Sequence, residues 1–267
     1  MKFKFDHDLH IHSHLSLCSN DPAQNKDRIF KYAKDNKLYT ICVTDHFWDD
    51  DVPEATNWYR AQNFAHISQN KPLPSDDETS FLFGCETDFN KNFTLGIADK
   101  TFSEFDFVII PTTHMHMKGF VISEEDAQSN LRRAQLWVER LEALTQRDLP
   151  FQKIGIAHLS CHLINNASRK DYLEVLDLIP SDDMERVFSD CARVGVGIEL
   201  NMSDMSFEDS EADQVLRMYR IAKSCGCKFY CGSDAHHPEK FDTAAEVFNR
   251  AIDLLGLEES DKFIVVQ

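Results

Sequence analysis

The sequence predicts an α/β fold, a (β/α) barrel of seven strand–helix units, and three observations carry that prediction. Short apolar, β-branched or aromatic runs alternate with helical stretches along the chain, the order that makes βαβ units and a parallel sheet. Seven such runs are present. Nearly every run ends at its C-terminal side in a residue able to hold a metal. Barrel strands converge on one face by their C-termini, whereas a doubly wound sheet gathers only the ends beside its switch point.

The first run is FDHDLHIH at 5–12. His10 and His12 are two residues apart and share one face of a strand. Adjacent imidazoles repel when protonated and lose hydration when buried; a cation between them removes both costs, since neutral imidazole is the commonest metal ligand. A helical stretch over 22–36 leads to YTICVTDH at 39–46, which ends in His46. Segment 47–80 is a long excursion whose Pro and Asp content predicts part helix and part loop. Its Trp48, Trp58 and Tyr59 make it either a lid over the site or a surface excursion packed on the barrel.

FLFGCETDF at 81–89 carries Glu86, and FDFVIIPTTH at 105–114 ends in His114. Over 123–147, Ser123 is placed to cap a helix with Glu124, Glu125 and Asp126 in its first turn, and Leu131, Ala134, Val138 and Leu141 recur near the 3.6 period. KIGIAHLS at 153–160 carries His158, VGIELNM at 196–202 carries Glu199, and KFYCGSDAH at 228–236 ends in Asp234 and His236. Helical patterns at 182–193, 210–225 and 242–255 complete the alternation.

Composition narrows the function classes. The chain of 267 residues, 42% hydrophobic and 27% charged, reads as globular, and positions 1–267 are expected to form a single domain. A net charge of −17 argues against a nucleic-acid surface. It leaves an anionic substrate open, because bound divalent ions invert the local field. No apolar run is long enough to span a membrane, and MKFKFDHDLH lacks a signal-peptide core, so a cytoplasmic location is expected. The eight cysteines are scattered and read as reduced thiols; Cys225, Cys227 and Cys231 fit an apolar strand of small residues.

HDLHIHS, VTDH, GCETD, the histidine after FDFVIIPTT, IAHLS and CGSDAHH occur together in the order of the polymerase-and-histidinol-phosphatase (PHP) domain. The chain resembles this superfamily of metal-dependent phosphoesterases over roughly 5–240. The resemblance implies a distorted (β/α)7 TIM-like barrel of the PHP type, with up to three divalent ions (zinc, manganese or iron). It makes His10 and His12 ligands of the first metal, Glu86 a bridging carboxylate, and Asp234 a further ligand of the first metal. His46 and His236 would serve the second metal, and His158 and His114 the third, with His114 fitting slightly better than His116. Asp8 and Asp45 read as groups that orient imidazoles; Glu199 and Asn201 read as pocket lining.

Cys18 departs from the family pattern, which usually has His or Asp there. A thiolate would bias the second site toward zinc; otherwise Cys18 is a bystander with Asp21 swinging in, or the second site is weak. His14 matches no family ligand, and either faces substrate as a proton donor or is solvated.

Clustered divalent ions lower the pKa of a bridging water and neutralise phosphoryl oxygens during in-line displacement, so the expected reaction is hydrolysis of a small phosphate monoester by a metal-bridging hydroxide. His14, His116, His162 and His237 are candidates for protonating the leaving group. Arg169, Lys118 and Arg132 either hold the phosphate or are solvated surface charges. The stand-alone length and HSHLS look most like the histidinol-phosphatase branch. The alternatives are a nucleotide phosphatase or phosphodiesterase of the same superfamily, an amidohydrolase-type hydrolase (which would want a metal-bridging lysine at a strand end), and a non-catalytic scaffold.

Overall fold

The computed structural model describes residues 1–266, and in it the alternation becomes seven parallel strands in chain order. These are β1 (His7–Ile11), β2 (Thr40–Val43), β3 (Ser80–Glu86), β4 (Phe107–Pro111), β5 (Ile154–Ala157), β6 (Gly197–Asn201) and β7 (Lys228–Gly232). They form a nearly closed barrel. Ladders join each strand to the next, but β1 and β7 meet differently. At the mouth, Asp234 N donates to His10 O at 2.7 Å and His12 N to Ala235 O at 3.1 Å. Lower down, side chains take over: Ser233 N donates to Asp8 Oδ1 at 2.9 Å, and Cys231 N to His7 Nε2 at 3.0 Å.

The period of two decides which residues fill the barrel. Cys42, Phe107, Ile109, Ala157 and Tyr230 point inward with Leu9 and Leu82. Their neighbours Ile41, Val43, Val108, Ile110, Ile156 and Phe229 pack outward under the helices. Phe263, from the C-terminal segment, belongs to the inner cluster. Each such buried Leu or Phe stabilises by roughly 1.5–3 kcal/mol. Gly155 is needed because a Cβ there would lie 2.4 Å from Tyr230 Oη and 2.6 Å from Phe107 Cζ.

The helices are α1 (Lys26–Asn36), α2 (Asn57–Arg60), α3 (Phe64–Ile67), α4 (Asn130–Thr145), α5 (Arg169–Leu178), α6 (Ser181–Val194), α7 (Ala212–Ser224) and α8 (Ala244–Leu255). Two differ from the sequence expectation. The Ser123 hydroxyl accepts from Asp126 N at the entry to a short 3-10 turn, while Ser129 caps α4 through Arg132 N. Two serines could serve as caps, and the extended backbone at Ser129 sets the real start. The helix α5, capped by Ser168, was not anticipated. The 47–80 excursion carries α2 and α3; Trp48 is buried against Tyr59 and Phe120.

Candidate metal centre

The strand ends bring their predicted ligands to one place. Nε2 of His10 and of His12 lie 3.0 Å apart, and both face Asp234 Oδ1, at 3.4 and 3.2 Å. Glu86 sits at the centre. Its Oε2 lies 3.2 Å from His12 Nε2 and 3.0 Å from His46 Nδ1. Its Oε1 lies 3.3 Å from His158 Nε2 and 3.8 Å from His114 Nε2. His236 stacks on His12 with ring centroids 4.1 Å apart. Three overlapping groups have ligand atoms close enough to grip an ion: His12–His46–His236, His10–His12–Asp234 and His10–Glu86–His158. His158 and Asp234 both have left-handed backbone, φ 61° and 51°. Non-glycine residues rarely adopt it, and such strain gathers at functional sites.

These donors fit a cation. Glu86 Oε2 and His46 Nδ1 are buried, yet neither makes a hydrogen bond, although they are 3.0 Å apart. Buried polar atoms without partners are costly, and an ion between these donors would satisfy both.

The supporting residues differ in part from expectation. Glu199 grips the cluster from below, its Oε1 2.6 Å from His10 Nδ1, while Oε2 accepts from Asn201 Nδ2 and His158 N. Glu199 and Asn201 are therefore wholly buried rather than lining the cavity. Asp8 touches no imidazole. It accepts from the amides of His10 and Ser233 and from Tyr32 Oη, so it orients main chain at the β1–β7 seam. Burial raises its pKa to about 6. Asp45 reaches an imidazole through Ser16, whose hydroxyl donates to Asp45 Oδ1 at 2.6 Å and lies 2.8 Å from His12 Nδ1. Asp88 holds His114 Nδ1 at 3.0 Å and accepts from Tyr59 Oη. Its signal was present, since Asp88 lies two residues beyond Glu86. Ser16, four residues after His12, carried none.

Electrostatics set the resting charge. Burial opposes the charged form of His10, but Glu199, Asp234 and Glu86 outweigh it and hold His10 well above the usual imidazole range. His12 and His158 are raised the same way against burial, with Asp234 and Glu86 contributing to both. Burial also opposes the charged forms of Glu86 and Asp234, yet the imidazoles keep both carboxyls well below their ordinary range. Burial lowers His46, and burial with His12 takes His236 to about 3. The neighbouring carboxylates thus favour protons on His10, His12 and His158, and a metal must compete with them for these rings. Zinc titration by calorimetry at pH 7, in two buffers of different ionisation enthalpy, should show net proton release and an affinity that falls with pH. Equal heats in both buffers would contradict this.

A cavity of about 260 Å³ opens over the cluster, walled also by Trp58, Tyr59, Met117, Leu163, His116 and Cys18. Cys18 falls in none of the ligand groups among the described residues; although the residue is exposed, partial desolvation, then Glu86 and Asp234, push its thiol up to about 12. Asp21 is turned to Ala23 N and His237. Of the proton-donor candidates, His116 lines the cavity, while His14, His162 and His237 are exposed. Arg169 pairs with Glu211, Arg132 with Asp126 and Glu139, and Lys118 is exposed. Among the described residues lining the cavity none is Lys or Arg.

A family model described as PHP domain matches residues 8–201. No curated protein matches the chain. Among solved structures the chain is similar to histidinol phosphate phosphatase (HISK) from Lactococcus lactis subsp. lactis Il1403, complexed with zinc, L-histidinol and phosphate. The TM-score is 0.59 at 18% identity, covering 97% of this chain and 98% of that one, a likeness of fold. A probable 2-pyrone-4,6-dicarboxylic acid hydrolase from Acinetobacter baumannii, with citric acid bound, aligns at TM-score 0.43 and 12% identity over 96% and 97%; that is too weak to carry an argument.

Proposed function

The chain belongs to the PHP domain family, and on that premise we propose that it is a metal-dependent hydrolase of a small phosphate monoester, with histidinol phosphate the first substrate to test. The observation that carries this reading is the convergence of His10, His12, His46, His158 and Asp234 on Glu86, with unpartnered buried donors facing one another. Divalent ions held there supply Lewis acidity and make hydroxide available near neutral pH.

The chain's own residues set the rest. With no Lys or Arg among the described residues lining the cavity, the phosphate charge must be met at the cluster. Trp58, Met117 and Leu163 leave an apolar wall for the organic group. His116 is the candidate best placed to reach a leaving oxygen. Burial and His114 lower it to about 4, so it starts neutral at pH 7 and gains proton affinity only when an anionic ester is bound.

The test is phosphate release by protein reconstituted with zinc, manganese or iron. Histidinol phosphate should release phosphate faster than nucleoside monophosphates, and a chelator should abolish turnover. Faster release from nucleotides would move the substrate to the other branch of the superfamily. Full metal occupancy with no release from any monoester would overturn the reading.

A further inference from the structure

His158 has a second side. Its Nε2 is turned toward Glu86 Oε1, while its Nδ1 is buried and lacks a partner. A ring nitrogen of His158, Sγ of Cys161 and a carboxylate oxygen of Asp204 lie within 4.8 Å of one another, all three residues buried. Asp204 Oδ2 is occupied, accepting from Ser160 N at 3.0 Å and Tyr219 Oη at 2.9 Å. Its Oδ1 is buried with no partner. The turn between is held firmly: Cys161 N donates to His158 O at 3.1 Å, and Tyr172 Oη donates to Ser160 O at 2.6 Å.

An imidazole that gives its Nε2 lone pair to a metal carries its proton on Nδ1. That buried N–H then needs an acceptor, and outer partners of this kind set the angle and basicity of a ligand. The geometry assigns Asp204 and Cys161 this part: they are positioning residues that accept a hydrogen bond from His158 Nδ1–H and aim its Nε2 toward Glu86, where the two would hold a cation together. The assignment rests on the metal-dependent reading above.

The test measures metal affinity at each site by chelator competition, and the visible spectrum of the cobalt-loaded protein, in wild type, Asp204→Asn, Cys161→Ala and Cys161→Ser. Asn puts an amide nitrogen toward Nδ1 and should weaken one cation site by about 10–100-fold, leaving the others and the metal-free unfolding temperature near wild type. Cys161→Ala should show a smaller loss that Cys161→Ser, which keeps an acceptor, largely restores. Unchanged affinity at every site in Asp204→Asn and Cys161→Ala would overturn the assignment. So would a sulfur-to-cobalt charge-transfer band lost in Cys161→Ala, because Cys161 would then hold a metal itself. If wild type takes up no metal, this inference and the hydrolase reading both fall; if it binds metal without turnover, only the hydrolase reading does.

Discussion

Glu86→Gln should strip the cluster of metal and lower phosphate release by on the order of 10³-fold or more, since the reaction's electrophilic assistance is lost with the ions. Among the described residues Glu86 is the one side chain that faces all of His10, His12, His46, His114 and His158. Its two oxygens divide these rings into two sets. Glutamine keeps the shape but replaces one acceptor by an NH₂, which cannot share an ion, and removes the charge that helps hold His10 and His158 in their raised state. Elemental analysis of purified protein, turnover and circular dichroism would check this together. Wild-type metal content and turnover in the variant would refute the central role given to this carboxylate.

Arg140→Ala should be the most damaging substitution away from the site, costing about 3–5 kcal/mol. The Arg140 guanidinium is buried in α4 and donates to the carbonyls of Phe89, Thr112 and Val121 at 2.9, 3.0 and 3.3 Å. These lie just beyond β3 and β4, on the loops that carry Asp88 and His114. Burial lowers its pKa to about 10, so it remains charged at neutral pH. Truncation leaves several buried carbonyls without a donor, each a penalty of about 1–3 kcal/mol. For a chain of this size the unfolding temperature should drop by roughly 10 °C, and Arg140→Lys should recover only part, lacking the fork that reaches several carbonyls. An unfolding temperature within experimental error of wild type would show that the loops do not depend on it.

The barrel and the candidate ligands that it gathers were legible because each candidate closes a strand. His12, His46, Glu86, His114, His158 and Asp234 mark run ends in the sequence, and parallel strands bring such ends to one face. The supporting groups were less legible, because their partners are distant in the chain. Asp8 and Glu199 both flank the cluster in sequence terms, yet barrel closure gives Glu199 the ring of His10 and turns Asp8 to main chain. Asp204 and Cys161 lie 43 residues apart and meet only once β5 and β6 are adjacent. Arg133 and Arg140 sit on the same face of α4 as Trp137 and Leu144; in sequence they look like solvated charges, and only the loop carbonyls they serve explain their burial.

The seam between β1 and β7 has a consequence beyond architecture. His10 and His12 lie on one bank and Asp234 and His236 on the other, so an ion held by His10, His12 and Asp234 would act as a clasp across the barrel's incomplete ladder. Scarcity of metal would then loosen the mouth of the barrel as well as silence it. The same chelator that stops turnover would leave the chain easier to degrade, tying the protein's lifetime in the cell to its metal supply.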